Sequence, residues 1–321
     1  MNAEQEGGGE SAVRDAAGLP GAGAPSNAPS NFAQPFTLSL GENPPIPVLI
    51  AVPHAGRAYP AELSARMRQP ALACLRLEDR FVDLLAQEVA RETSAALLVA
   101  HAPRALIDLN RTPDDMDWDM VTGGAPQEAV RLAAGSRARS GLGLVPRRLP
   151  GMGELWQRRM SREELEARLA EVHRPYHATL ADALAQLRDR WGAALLIDLH
   201  SMPPLGRKTG PDAAPDFVVG DRFGASCASH LAAAALQHFA EAGRSVAHNR
   251  PYAGGYVLDR HGVPARGVHA MQIEVCRSAY LDSRLSDPGP GLAAVARVLA
   301  ALVRRLAADL GFGQRVAQAA E

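Results

Sequence analysis

Ala194-Leu-Leu-Ile-Asp-Leu-His200-Ser201 is an apolar run that ends on an imidazole, and Ile46-Pro-Val-Leu-Ile-Ala-Val-Pro-His54 ends the same way. Near-continuous runs of Val, Ile and Leu read as strands buried on both faces, which points to a parallel sheet covered by helices. Ligands of such sheets bind in the crevice at the carboxyl ends of the strands. Both imidazoles are therefore delivered to the sheet edge where chemistry occurs, and two of them together suggest a metal-assisted site. A third run, Gly267-Val-His-Ala-Met-Gln-Ile-Glu274-Val, carries a carboxylate that could act as a general base.

Outward from these runs, apolar and helical stretches alternate. Strand-like segments fall at 46–53, 95–100, 105–109, 193–199, 216–219 and 267–275, and helical ones at about 76–92, 161–191, 225–242 and 289–310. The alternation predicts one α/β domain, a mainly parallel or mixed sheet flanked by helices, over residues 35–312. Ser161 and Glu164 form a capping-box pattern at the start of 161–191, and Pro175 is expected to kink that helix. Gly243 is a normal stop for the helix over 225–242. Residues 1–34, rich in Gly, Ala, Ser and Pro, hold too few large apolar groups to order and read as a disordered tail, with a short tail at 313–321. The segment 112–153, with Gly123-Gly124 and Gly141-Leu-Gly-Leu, reads as long excursions over the sheet edge.

Composition narrows the function classes. The 321 residues are 47% hydrophobic with a formal charge of −1, which suits a globular core and argues against a nucleic-acid surface. No apolar run reaches the roughly eighteen residues of a membrane span, and the N-terminus lacks a signal-peptide pattern. Three cysteines, Cys74, Cys227 and Cys276, are too far apart for CxxC chemistry, and their odd number fits a reduced compartment. The expectation is a cytoplasmic enzyme acting on a small molecule, with no nucleic-acid or membrane partner. No GxSxG elbow, GxGxxG turn or phosphate loop is present.

Several residues are candidates for chemistry. Asp198 lies two residues before His200 on a strand, hence on the same side, where it can orient the imidazole. Glu274 shares a face with Gln272; a structural pair with Arg277 is its competing role. A zinc site of catalytic type needs a third ligand. Glu78, Asp79 and Asp83 are candidates, although carboxylates opening a helix are also explained by its dipole. Asn110-Arg111, at the end of the 105–109 run, suits a substrate carboxylate, or else anchors a loop through Asp114 or Asp115. Arg104 could stabilise an oxyanion or simply be solvated. Asn249-Arg250-Pro-Tyr-Ala-Gly254-Gly255-Tyr256 reads as a glycine-hinged lid or an ordinary turn. His173 and His177 have metal-ligand spacing but no HExxH glutamate, and read as packing or supporting histidines.

Taken in order, Val52-Pro-His-Ala-Gly, Glu78-Asp-Arg-Phe-Val-Asp, Ile107-Asp-Leu-Asn-Arg, Arg174-Pro-Tyr-His, Asp198-Leu-His-Ser, Gly224-Ala-Ser-Cys, Gly254-Gly-Tyr and Gly267-Val-His-Ala-Met-Gln-Ile-Glu resemble the N-formylglutamate amidohydrolases. These are relatives of the zinc carboxypeptidases and the succinylglutamate desuccinylase group, and the likeness spans about 46–283. It implies a zinc-carboxypeptidase-like (phosphorylase/hydrolase-like) fold. The implied activity is Zn²⁺-dependent hydrolysis of an N-acyl acidic amino acid, N-formyl-L-glutamate to formate and glutamate, a late step of histidine breakdown. Carried over, His54, Asp79 and His200 match the metal ligands and Glu274 the carboxylate that activates water. Arg104 would assist the oxyanion, and Asn110, Arg111 and Arg250 would hold substrate carboxylates. The carboxypeptidase relatives keep their acidic ligand three residues after the first histidine; here Arg57 stands there, so the acid comes from elsewhere. Two alternatives stay open: a same-fold metal hydrolase for another N-acyl amino acid or peptide C-terminus, and a binding protein that has lost its metal.

Overall fold

The computed structural model describes residues 34–125, 136–207 and 214–318, so the expected tail over 1–33 and part of the 112–153 excursion lie outside the described residues. The strands are β1 (Phe36–Ser39), β2 (Val48–Val52), β3 (Ala96–Ala100), β4 (Arg148–Leu149), β5 (Gly153–Glu154), β6 (Ala194–Met202), β7 (Phe217–Gly220), β8 (Val246–His248) and β9 (Val268–Cys276). The helices are α1 (Ala61–Ala65), α2 (Pro70–Leu77), α3 (Val82–Thr93), α4 (Ser136–Arg139), α5 (Arg162–Arg168), α6 (Arg174–Trp191), α7 (Ser229–Glu241), α8 (Tyr256–His261) and α9 (Leu292–Gln318). No helix among the described residues is long and apolar enough to cross a membrane.

Seven strands form one sheet in the order β1-β3-β2-β6-β9-β7-β8. The central four are parallel; β1 runs antiparallel to β3, and β7 antiparallel to β9. The fold is thus the expected mixed, largely parallel α/β sheet. Its order reverses between β2 and β6, because β3 lies on one side of β2 and β6 on the other. That switch point opens a crevice at the carboxyl ends of the two strands, and these are the strands that end on His54 and His200.

Alternation along the buried strands builds two cores. Val48, Ile50, Leu195, Ile197 and Ile273 face α3, α7 and α9, whereas Leu49, Ala51, Leu196 and Ala270 face α1, α2, α5, α6 and α8. The second face changes character toward the crevice. After Leu196 and Ala270 come the paired positions Asp198↔Gln272 and His200↔Glu274. Period-two geometry puts all four on one side of the sheet. The apolar core therefore ends as a polar shelf.

Several expectations are corrected. Residues 105–109 form turns rather than a strand; Asp108 N donates to Leu144 O, a loop carbonyl, so the run buries Ile107 and Leu109 without joining the ladder. The helix over 76–92 is two helices, because Glu78 turns extended (φ −73°, ψ 141°) and Phe81 is left-handed (φ 57°). The helix over 161–191 runs unbroken from Arg162 to Trp191 as α5, a π-helical turn over Leu169–His173 and α6, and Pro175, which lacks an N–H donor, follows directly on that π turn. Half of the capping box forms, with Glu164 N donating to Ser161 Oγ at 3.1 Å, while the Glu164 carboxylate turns instead to Arg66. The last helix continues past 310 through the residues expected as a C-terminal tail, to Gln318. The edge strands β1 and β8 were not expected, being short and only half-buried.

Gly56 fixes the loop after β2. A Cβ there would lie 2.0 Å from Ala102 O, so the backbone of 101–102 can pass only because the residue is glycine. Gly56→Ala is expected to destabilise the fold by about 1–3 kcal/mol, measured by urea unfolding. An unchanged midpoint would show that the loop can yield.

Candidate active site and metal centre

His54 follows β2 immediately, and its backbone O accepts a hydrogen bond from Asp79 N at 2.9 Å. That bond docks the break between α2 and α3 against the end of β2. The break, rather than a helix start, is what brings Asp79 into the crevice. His54, Asp79 and His200 are all buried, and one ligand atom from each lies within 4.8 Å of the others. His200 Nδ1 is 3.0 Å and His54 Nδ1 3.6 Å from the same oxygen, Asp79 Oδ2. The other two acids go elsewhere. Glu78 pairs with Arg80 at 2.7 Å, and Asp83 takes both Nη atoms of Arg57 at 2.8 Å.

Each donor is braced from behind. His54 Nε2 meets Asp108 Oδ1 at 2.7 Å, and His200 Nε2 meets Asp198 Oδ2 at 2.9 Å. A proton on each Nε2 leaves the Nδ1 lone pairs facing Asp79, the carboxylate–histidine arrangement of metal sites. Asp79 Oδ1, turned away, faces Ser201 Oγ at 3.4 Å and Arg277 Nη2 at 3.5 Å. Arg277 thus braces Asp79 and not Glu274. Two imidazole nitrogens and one carboxylate oxygen form a donor set that fits zinc.

The electrostatics agree with a cation site. Burial alone would raise Asp79, but His200 and His54, when they carry protons on Nδ1 in place of a cation, hold its carboxyl well below the usual range. Burial opposes charge on His200, yet Asp198 and Asp79 lift it well above an ordinary histidine. Asp108, also buried, is held low by Arg104 and His54. The acids therefore draw a proton onto His200, the same demand that a divalent cation meets.

Glu274 is almost fully buried beside His200, and burial pushes it up to about 7; His200 opposes the rise while Asp79 and Asp198 add to it. A directional relay sets its orientation. Val257 N–H donates to Asn110 Oδ1 at 2.9 Å, Asn110 Nδ2 donates to Gln272 Oε1 at 3.3 Å, and Gln272 Nε2 donates to Glu274 Oε1 at 2.9 Å. Because a backbone N–H can only donate, every amide in the relay has one allowed orientation. Oε1 of Glu274 is occupied, leaving Oε2 to handle protons. Gly255 permits the approach, since a Cβ there would fall 2.6 Å from Asn110 Oδ1.

His173 and His177, one turn apart on the π-turn and α6, bond the carbonyls of Arg111 (2.9 Å) and Leu109 (3.0 Å). They clamp the segment that carries Asn110 and stand apart from the metal ligands. Arg104 is paired with Asp108 at 2.8 Å rather than solvated. Arg111 donates to the Leu142 and Asn110 carbonyls and to neither Asp114 nor Asp115. The cleft above the triad has a volume of about 250 Å³ and is lined by Arg104, Asn110, Arg111, Gln272 and Glu274, with Tyr252–Gly255 of the glycine loop on its wall. Arg250 is exposed and is not among the residues lining the cleft. Asp108 was visible in the sequence only as a neighbour of Asn110. Arg76 and Arg137, which also line the cleft, carry no local pattern at all.

The model of the N-formylglutamate amidohydrolase family matches residues 46–281. The chain is 32% identical to the N-formylglutamate deformylase of Pseudomonas aeruginosa over 269 residues, covering 83% of this chain and 92% of that one. It is also 32% identical to the N-formylglutamate deformylase of Pseudomonas putida over 256 residues, 74% and 82% of the two chains. The crystal structure of N-formylglutamate amidohydrolase from Ralstonia eutropha JMP134 superimposes with a TM-score of 0.77 at 34% identity, covering 87% of this chain and 99% of that one. The matched segment contains β2, the α2–α3 break, β6 and β9, every element that supplies the triad and Glu274, and the chain belongs to the N-formylglutamate amidohydrolase family of hydrolases.

Proposed function

We propose that this chain hydrolyses the formyl amide of N-formyl-L-glutamate to formate and L-glutamate, using a zinc ion held by His54, Asp79 and His200. The observation that carries the reading is the convergence of these three buried donors at the switch point, beside Glu274 and under a cleft lined with arginines. Held by these three residues, zinc would supply Lewis acidity for the scissile carbonyl and for an attacking water. Glu274 accepts the proton of the attacking water on Oε2 and returns it to the departing nitrogen as the C–N bond breaks. The Gln272–Asn110 relay holds the carboxylate in register for both transfers. Arg104, fixed by Asp108, has its Nη atoms free to receive charge developing on the carbonyl oxygen. Arg111 takes the carboxylate on the α-carbon, the anion nearest the scissile bond. Asp108 and Asp198 hold the two Nε2 protons throughout.

The test is formate release from N-formyl-L-glutamate by purified protein, before and after chelation and after zinc is added back. Turnover lost on chelation and restored by zinc is the expected result. Turnover that survives complete metal removal overturns the zinc assignment. A zinc-loaded protein that releases no formate, yet cleaves another N-acyl amino acid, overturns the substrate. Protein that takes up no zinc and cleaves nothing is a binding protein of this fold.

A further inference from the structure

The cleft holds more positive charge than the reaction centre uses. Five guanidinium groups line it, those of Arg76, Arg104, Arg111, Arg137 and Arg277. Arg104 is paired with Asp108, Arg277 is engaged by Glu78 O, Ser201 and Asp79, and Arg76 donates to Pro150 O. Arg111 is bonded only to backbone carbonyls, with its nearest carboxylate oxygen, Asp108 Oδ2, 3.9 Å away. Arg137 makes no side-chain hydrogen bond or ion pair among the described residues.

A chain of contacts connects these groups to the triad. His54 Nε2 meets Asp108 Oδ1 at 2.7 Å, and Asp108 Oδ2 meets Arg104 Nε at 2.8 Å and Arg111 Nε at 3.9 Å. Arg111 Nε donates to Leu142 O at 3.0 Å, and Leu142 N donates to Arg137 O at 2.8 Å. Arg104 therefore stands nearest Asp108 and Arg111 next, while Arg137, exposed on α4, is tied to them through its backbone and lines the same cleft. The like charges feel one another: burial lowers the pKa of Arg111, and after the opposing Asp108 its neighbours Arg104 and Arg137 lower it further. Two guanidinium groups in one cleft, Arg111 and Arg137, with no carboxylate within hydrogen-bond distance among the described residues, are matched by an anionic ligand. A ligand with two carboxylates has a guanidinium group available for each.

We propose that Arg137 binds the distal, side-chain carboxylate of the substrate and so sets the preference for an acidic over a neutral side chain. This assignment rests on the substrate reading above. Arg111 holds the nearer carboxylate.

The experiment compares kcat/KM for N-formyl-L-glutamate and its neutral near-isostere N-formyl-L-glutamine in the wild type, Arg137→Met and Arg137→Lys. Losing a charge-assisted contact should lower kcat/KM for the acidic substrate by about 10- to 100-fold. The change should fall mainly in KM, with a much smaller change for the neutral one, so that the ratio between the two collapses. Lysine, a point charge without the fork, should restore part of it. A ratio that survives in Arg137→Met, or equal losses on both substrates, overturns the assignment while leaving the function intact. Calorimetry of L-glutamate against L-glutamine binding to zinc-loaded protein keeps the two questions apart. If the wild type does not cleave N-formyl-L-glutamate, the functional reading fails. Arg137 then stands only if its replacement erases a glutamate preference in binding, and falls if no such preference exists.

Discussion

Glu274→Gln is expected to lower kcat for N-formyl-L-glutamate by about 10³-fold while leaving zinc content and thermal stability close to those of the wild type. The substitution is nearly isosteric and keeps an oxygen that can accept from Gln272 Nε2, so the relay from Val257 through Asn110 survives. What disappears is the one oxygen in the cleft that is oriented, buried and free to take a proton from water. KM should move little, because Glu274 is not among the groups that hold substrate carboxylates. The pH profile gives an independent reading. Below its pKa Glu274 is protonated and cannot accept, so the wild-type rate falls about tenfold per pH unit on the acid side. Burial pushes Glu274 up to about 7 without a cation, and a neighbouring divalent ion favours the charged form and moves that limb lower. A limb at or below 7 that vanishes in Glu274→Gln identifies the base. Retained activity, or an acid limb that persists in the variant, removes Glu274 from the mechanism.

The parts of this molecule that were legible in its sequence are those written locally. β2, β6 and β9 are buried on both faces, so their side chains had to be continuously apolar. Polar residues interrupting such a run stand out for the same reason, and this is why His200, Asp198 and Glu274 could be picked from a single chain. The 105–109 run shows the limit of that signal. Ile107 and Leu109 are buried as a strand would bury them, but loop packing against Leu144 satisfies them equally well. The α2–α3 break is the clearer failure. Leu77 and Val82 continue a helical pattern, and the interruption lies in the backbone, in an extended Glu78 and a left-handed Phe81, which sequence does not display. With the break hidden, Asp79 could be explained as a helix-opening acid, and nothing local separated it from Glu78 or Asp83. Its position depends on the bond to His54 O, a contact across 25 residues. Asp108 stood out only as a neighbour of Asn110, and the cleft-lining Arg76 and Arg137 carried no signal, on the same ground. Which charged loop residue reaches a cleft is decided by tertiary packing, and no spacing encodes it.

Asp79→Asn is expected to weaken zinc binding more severely than removal of either supporting acid. Asp108→Asn sets the scale: it takes away only the acceptor behind His54, and such partners are worth about 10- to 100-fold in metal affinity. Asp79 contributes the only carboxylate oxygen of the donor set, and an amide oxygen in its place carries no charge against the ion. The surroundings make the loss worse. Arg277 stays 3.5 Å from the same position, so the variant leaves an uncompensated positive charge beside a site meant for a cation. Stability has to be followed in parallel. The Asp79 carboxyl is held low in the folded state, so its contribution is present above the ordinary carboxylate pKa and is lost on acidification. Metal-free Asp79→Asn should therefore melt below metal-free wild type at pH 7, with the gap closing as pH falls below about 4. Zinc affinity measured by competition with a chromophoric chelator, on protein shown to be folded, separates the two effects. Wild-type affinity in Asp79→Asn, with loss instead in Glu78→Gln or Asp83→Asn, moves the acidic ligand to one of those residues. Equal losses in Asp79→Asn and Asp108→Asn make Asp79 a supporting residue and leave the ion held by the two imidazoles.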